Sequence, residues 1–122
     1  MKIFSIIILG LNSVLFMNSC AKDVGKDPAL LPKVLNCDSV KYSRTIKPIV
    51  MANCAIPTCH VPGGQGSGDF TTFTDLYAKA QSGALKARVI DGVPGFMPAA
   101  GRLPDDKIEK IKCWLNAGAP NN

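Results

Sequence analysis

The hydrophobic pattern changes character along the chain. Behind a single lysine at position 2, residues 3–17 are largely apolar and carry no charge. A secretory signal peptide has this arrangement, and the run falls short of the about 20 apolar residues that a membrane-crossing helix needs. Residues 21–36 follow with Gly25, Pro28, Pro32 and no helical or strand period, so they read as a tether. A coil of that length spans on the order of 20 Å.

Beyond the tether the period becomes helical. Ile46, Ile49, Val50 and Met51 read as one apolar face of a helix that Ser43 is placed to cap, with Pro48 tolerable only near its first turn. On that reading Met51 belongs to the core. Residues 61–68 (VPGGQGSG) read as a flexible linker loop. They lack the Gly-Lys-Ser/Thr ending of a phosphate loop, and Asp69 stands where a dinucleotide fingerprint needs its last glycine. Thr72 or Thr74 caps a helix through Leu76, Tyr77 and Ala80 that ends at Ser82-Gly83, and a shorter helical piece runs through Leu85, Val89 and Ile90. Residues 91–104, rich in proline and glycine, form a structured loop without regular elements. Asp105 and Asp106 then open the clearest helix, with Ile108, Ile111 and Leu115 on one face and Gly118 as its stop. No segment alternates with strand periodicity. The expected fold is all-α, three to four short helices joined by long loops.

Composition adds a shortage. The chain has 122 residues, 47% hydrophobic and 19% charged, which is one small domain and too little for two cores. It is not a disordered tail, a collagen repeat or a coiled coil. Aromatics make up only 7%, and Phe4 and Phe16 leave with the signal peptide. Tyr42, Phe70, Phe73, Tyr77, Phe96 and Trp114 remain as large core fillers, so a disulfide, a metal or a cofactor is expected to supplement them. The net charge of +5 is scattered, so a solvated basic surface is the reading and no nucleic-acid partner is expected, while an acidic partner protein stays compatible.

The apolar leader ends at Met17-Asn18-Ser19-Cys20. A small residue directly before a cysteine resembles a bacterial lipobox, although Met17 and Asn18 stand where Leu and Ala or Ser are usual. The competing readings are an ordinary cleaved signal beside an incidental cysteine, or an uncleaved anchor. The division expected is a lipoprotein-type signal peptide at 1–19, a tether at 20–36 that starts on lipidated Cys20, and a folded domain at 37–122. Export to the cell envelope also means that free thiol pairs tend to oxidise.

Chemistry concentrates in Cys54-Ala55-Ile56-Pro57-Thr58-Cys59-His60. Two thiols with a histidine directly after the second is the ending used for covalent haem attachment. The thiols add to the haem vinyl groups and the histidine reaches the iron from one face. The usual spacing leaves two residues between the thiols and this chain has four, so the extra residues must loop outward; Pro57 suits that by disfavouring helix at Ile56. Competing readings are a zinc site completed by Cys37, Cys113 or a carboxylate, a Cys54–Cys59 disulfide with His60 incidental, and a thiol-redox pair, for which the spacing is wrong. His60 is the chain's one histidine. Past the leader the methionines are Met51 and Met97. Met97, in Gly95-Phe96-Met97-Pro98 ahead of the last helix, is either a second axial ligand or a loop residue capping the core. No pairing among Asp69, Asp75, Asp91, Asp105, Asp106 and Glu109 suggests general acid–base work, and no hydrolase motif is present.

Together these pieces carry a resemblance. Residues 42–120 resemble small bacterial class I-like cytochrome c domains of exported lipoproteins, including planctomycete-type relatives. The resembling stretches are Ile46-Lys47-Pro48-Ile49 leading to Cys54, then Cys59-His60, Met97-Pro98, and the closing Trp114-x-x-x-Gly118-Ala119-Pro120. The wide cysteine spacing is the departure. The resemblance implies one covalent haem c on Cys54 and Cys59, with His60 and Met97 as axial ligands. It also implies a cytochrome c-like fold whose first and last helices cross beside the haem. With the helices crossing so, a disulfide between Cys37 and Cys113 is expected. The expected function is electron transfer by a carrier rather than an enzyme. The carrier would be held to the membrane by its lipid on the periplasmic or outer face and would serve redox partner proteins. Two rivals stand beside it: a five-coordinate haem domain that binds gas or peroxide, and a haem-free, disulfide-stapled structural lipoprotein.

Overall fold

A computed structural model describes residues 34–122. The residues read as a signal peptide, Cys20 and most of those read as a tether lie outside the described residues. Within them the protein is helical, with α1 (Lys47–Asn53), α2 (Phe73–Gln81), α3 (Ala84–Lys86) and α4 (Asp105–Asn116) and no strand. No helix among the described residues is long and apolar enough to cross a membrane.

The first helical stretch starts earlier and differently than its sequence suggests. Tyr42–Ile46 is a π-helical turn, in which the Ile46 N–H donates to Lys41 O at 3.2 Å and the Lys47 N–H donates to Tyr42 O. The widened turn sits just ahead of Pro48, whose ring in a regular α-helix would meet the carbonyl of Arg44. Pro48 itself lies in the first turn of α1. Ser43 is not the cap. The leading N–H groups are met from the far end of the chain, Tyr42 N–H by Asn122 Oδ1 at 2.7 Å and Ser43 N–H by Asn122 O at 2.8 Å. Ile46, Ile49 and Val50 are buried, but Met51 is 40% exposed, against the expectation that it joins the core. At 3.6 residues per turn Met51 points about 140° away from Ile46.

α2 begins where expected, with the Asp75 N–H donating to Thr72 Oγ1 at 3.4 Å, and it sinks Leu76 into the core. Gly83 turns the chain with φ of 75°, and α3 runs on into a π-helical turn, Ala87–Asp91, that buries Val89. Residues 92–104 contain no helix.

α4 closes the core. Its first turn carries Asp105 and Asp106, and its inner face is Ile108, Ile111, Cys113 and Trp114, while Leu115 is only half-buried. Ile108 and Ile111 are buried as expected, and the stripe differs only at its end, where the Trp114 indole takes the interior position expected for Leu115. Trp114 is 1% exposed and stacks on Tyr42 with ring centroids 5.9 Å apart. Behind it the Ala119 N–H donates to Trp114 O at 2.9 Å and Gly118 has φ of 87°. The tail thus folds back until Pro120 O accepts the indole N–H at 2.9 Å. The Trp-x-x-x-Gly-Ala-Pro ending is a device for satisfying a buried indole. Cys113, buried on the same helix, comes to disulfide distance of Cys37, with Cα atoms 5.1 Å apart.

Of the expected core aromatics, Tyr42, Phe70 and Trp114 are buried and Phe73 is half-buried, whereas Tyr77 and Phe96 remain exposed.

Candidate functional site

The site starts where α1 ends. Val50 O accepts N–H groups from both Cys54 (2.8 Å) and Ala55 (2.9 Å), which stops the helix and turns the chain. The Cys59 N–H donates to Ile56 O at 3.0 Å and the His60 N–H returns to Cys54 O at 3.2 Å, so the segment between the thiols closes on itself. Ala55 is buried beneath it, while Ile56, Pro57 and Thr58 are all exposed. The surplus residues between the cysteines thus bulge outward. Thr58 has φ of 69°, a left-handed backbone that a β-branched residue adopts only under strain of roughly 1–3 kcal/mol.

Residues 61–70 are not the slack linker that their glycines suggest. Thr58 O accepts from the Gln65 N–H at 2.9 Å, Cys59 O from the Gly66 N–H at 3.2 Å, and His60 O from the Phe70 N–H at 3.0 Å. The loop wraps the cysteine turn by backbone hydrogen bonds. Gly66 comes so close to His60 that a Cβ there would lie 2.6 Å from Nδ1. The glycine allows contact rather than slack. On the other side the Phe70 ring stacks on the imidazole, with centroids 4.0 Å apart and planes 5° from parallel.

Three groups in this turn carry its chemistry. Cys54 and Cys59 are free thiols, both half-buried. Burial, with the neighbouring Cys59 second, pushes the Cys54 thiol up to about 11. At neutral pH it is a neutral thiol, the opposite of the acidified cysteine that thiol-redox chemistry uses. His60 Nδ1 is buried with no hydrogen-bond partner. With Nδ1 buried and Gly66 packed on the ring face beside it, the nitrogen left for a ligand is Nε2.

Met97 stands in a separate loop. It is half-buried, and its N–H donates to Arg88 O at 2.9 Å, which hangs the loop from the π-helical turn after α3. Phe96 beside it folds over Gly92, where a Cβ would meet the ring at 2.6 Å. Cys54, Cys59 and His60 are therefore gathered in one closed turn, Met97 is presented from elsewhere in the chain, and Cys37 and Cys113 pair outside the site. Among the described residues no group of three His, Cys, Asp or Glu side chains is placed to hold a bare metal ion, so Cys37 and Cys113 do not complete a zinc site. A cavity of about 350 Å³ lies instead beside the Cys37–Cys113 pair, lined in part by Asp38, Lys41, Asn116 and Asn122.

Sequence reasoning missed Gly66 and Phe70. Gly66 is hidden in a glycine-rich string, and Phe70 has no period linking it to His60. Comparisons with known protein families, with curated proteins and with solved structures find no match to this chain.

Proposed function

We propose that this protein is an exported c-type cytochrome, held to a membrane by lipid on Cys20. It would carry one haem c, bound covalently by Cys54 and Cys59, with His60 Nε2 and the Met97 thioether as axial ligands. The observation that carries the reading is the closed turn from Cys54 to His60. Two unpaired thiols flank an outward bulge, and the adjoining imidazole has one nitrogen walled in and the other left free. The donor set suits the group: covalent attachment needs thiols that are not already paired, and axial ligation needs only a nitrogen and a soft sulfur.

Cys54 and Cys59 would hold the haem through their sulfurs, and adding a thiol S–H across a vinyl group requires no net oxidant. The haem, when bound, supplies a one-electron iron couple. The protein's own part is to fix the imidazole, to present a thioether from the loop after α3, and to shed water from the haem faces. Met51, Ile56 and Phe96, exposed beside Cys54 and Met97 in the chain, offer apolar surface for a porphyrin to cover. With His60 and Met97 both committed to holding the iron, the group would supply electron transfer to partner proteins rather than catalysis.

The test is the visible spectrum of the full chain made in cells carrying cytochrome c maturation machinery, followed by extraction with acidified organic solvent. A low-spin haem spectrum that stays with the protein supports the reading. Met97→Ala should then turn the iron high-spin and open it to added ligands, while a spectrum unchanged by that substitution removes Met97 from the ligand set. A colourless protein, made beside a control cytochrome that matures normally, ends the proposal.

A further inference from the structure

We infer that Phe70 and Gly66 are positioning residues that set the plane of the His60 ring, and that packing takes over the orienting role usually played by a hydrogen bond. The inference rests on His60 being the haem ligand. An imidazole that binds iron through Nε2 carries its proton on Nδ1, and a partner for that N–H normally fixes the ring and strengthens it as a donor. Here Nδ1 is buried and has no partner. Rotation about the Cβ–Cγ bond must therefore be stopped by shape.

Two contacts do so. The Phe70 ring lies flat against the imidazole at 4.0 Å and 5°, and passes close to Gly68, where a Cβ would lie 3.2 Å from the ring's Cε1. The Phe70 N–H is tied to His60 O at 3.0 Å, so the stacked residue and the ligand share one short backbone link. On the opposite face Gly66 packs over Nδ1, where a Cβ would lie 2.6–2.9 Å from Nδ1, Cε1 and Cγ, and leaves no room for the ring to rotate. The two walls bear on opposite faces of the imidazole, and Nδ1 finds an acceptor in neither. A ligand held this way is a poorer donor to iron than one with a hydrogen-bonded Nδ1.

The test compares Phe70→Leu, Phe70→Tyr and Gly66→Ala with the wild-type chain, each matured with haem. Thioether attachment, read as haem retained after acid extraction, should match wild type in all three, since the thiols are untouched. The ferric low-spin electron paramagnetic resonance signal reports ligand orientation. It should shift or split in Phe70→Leu and in Gly66→Ala, and stay as wild type in Phe70→Tyr, which keeps the flat face. The same substitutions in haem-free protein should move the His60 ring-proton resonances, because the ring current of Phe70 acts on them at 4.0 Å. Unchanged low-spin signals in folded Phe70→Leu and Gly66→Ala overturn the inference. If Phe70→Leu does not fold, Gly66→Ala alone decides it. A wild-type chain without haem ends the functional proposal instead, and the haem-free resonances still report whether the two walls hold the ring.

Discussion

Trp114 and His60 each end up against a partner ring, Tyr42 for one and Phe70 for the other, but the chain reaches the two arrangements by different means. Around Trp114 the work is done by buried side chains on helices, and the one polar atom taken inside, the indole nitrogen, has Pro120 O as acceptor. Around His60 the work is done by backbone: a turn closed on Cys54 O, a loop tied back to Thr58, Cys59 and His60, and a glycine in contact with the ring. There the polar atom taken inside, Nδ1, has no partner at all. A buried orphan is destabilising, by about 1–3 kcal/mol for a neutral group. The helical side of the domain is built by satisfying local rules and the cysteine turn by breaking one. Proteins concentrate such breaches at functional sites.

The sharpest way to break this comparison is to weaken one region and watch the other. Cys37 and Cys113 are separated by 76 residues, and in the chain-entropy model a link closing such a loop stabilises by about 4–5 kcal/mol. The double substitution Cys37→Ser with Cys113→Ser should lower unfolding stability by an amount of that order, measured by denaturant titration. The His60 ring resonances should not move while the variant is folded, because the link fastens α4 and not the cysteine turn. A shift of those resonances would mean that the two regions are coupled.

A smaller effect belongs to the cysteine turn alone. Folding raises the Cys54 thiol from its ordinary 9.0 to about 11, chiefly by burial, so the native state holds its proton more tightly than the unfolded chain. The associated stability is therefore fully present below pH 9 and is lost as pH rises towards 11. At about 1.4 kcal/mol per pH unit this amounts to roughly 2–3 kcal/mol in haem-free protein. Other groups also titrate in that range, so the quantity to measure is the stability difference between wild type and Cys54→Ala at pH 8 and at pH 11. That difference should change in favour of the variant as pH rises. Once Cys54 is a thioether it has no proton to lose, and the haem-loaded protein should lack this pH dependence.

The same division explains what could be read in the chain. The end of α2 at Ser82-Gly83, the Thr72 cap, the acidic opening of α4 and its glycine stop are local signals, and each appears where its residues predict it. The helical class follows from them. Errors arose where register depends on distant partners. The π-helical turn before Pro48 is capped by Asn122, from the far end of the chain, and at the end of the α4 stripe Trp114, stacked on Tyr42, takes the place expected for Leu115. At the site, the attachment-like heptapeptide is legible because its chemistry is written in side chains. The wrap around His60 is not, because it consists of backbone hydrogen bonds and the absence of a Cβ at Gly66. Composition can only report those as glycine-rich sequence, and glycine-rich sequence reads as slack.

The finest test of the comparison uses the two non-glycine residues that have left-handed backbones among the described residues, one in each region. Thr58 has φ of 69° at the exposed tip of the cysteine bulge, and Ala119 has φ of 57° where the tail folds back behind α4. Thr58→Gly relieves a β-branched residue in a conformation that costs it roughly 1–3 kcal/mol, against the 0.5–1 kcal/mol or so by which glycine stabilises the unfolded chain. Its side chain is exposed and no hydrogen bond depends on it among the described contacts, so a net gain of about 1 kcal/mol is expected. Ala119→Gly relieves less strain and strips a methyl that is only 1% exposed, which at about 0.8 kcal/mol per buried carbon offsets the gain. Thermal unfolding of the haem-free variants should therefore rise for Thr58→Gly and stay level or fall for Ala119→Gly. If Thr58→Gly gives no gain, the bulge is already relaxed, and the strain ascribed to the cysteine turn reduces to the single unsatisfied nitrogen of His60.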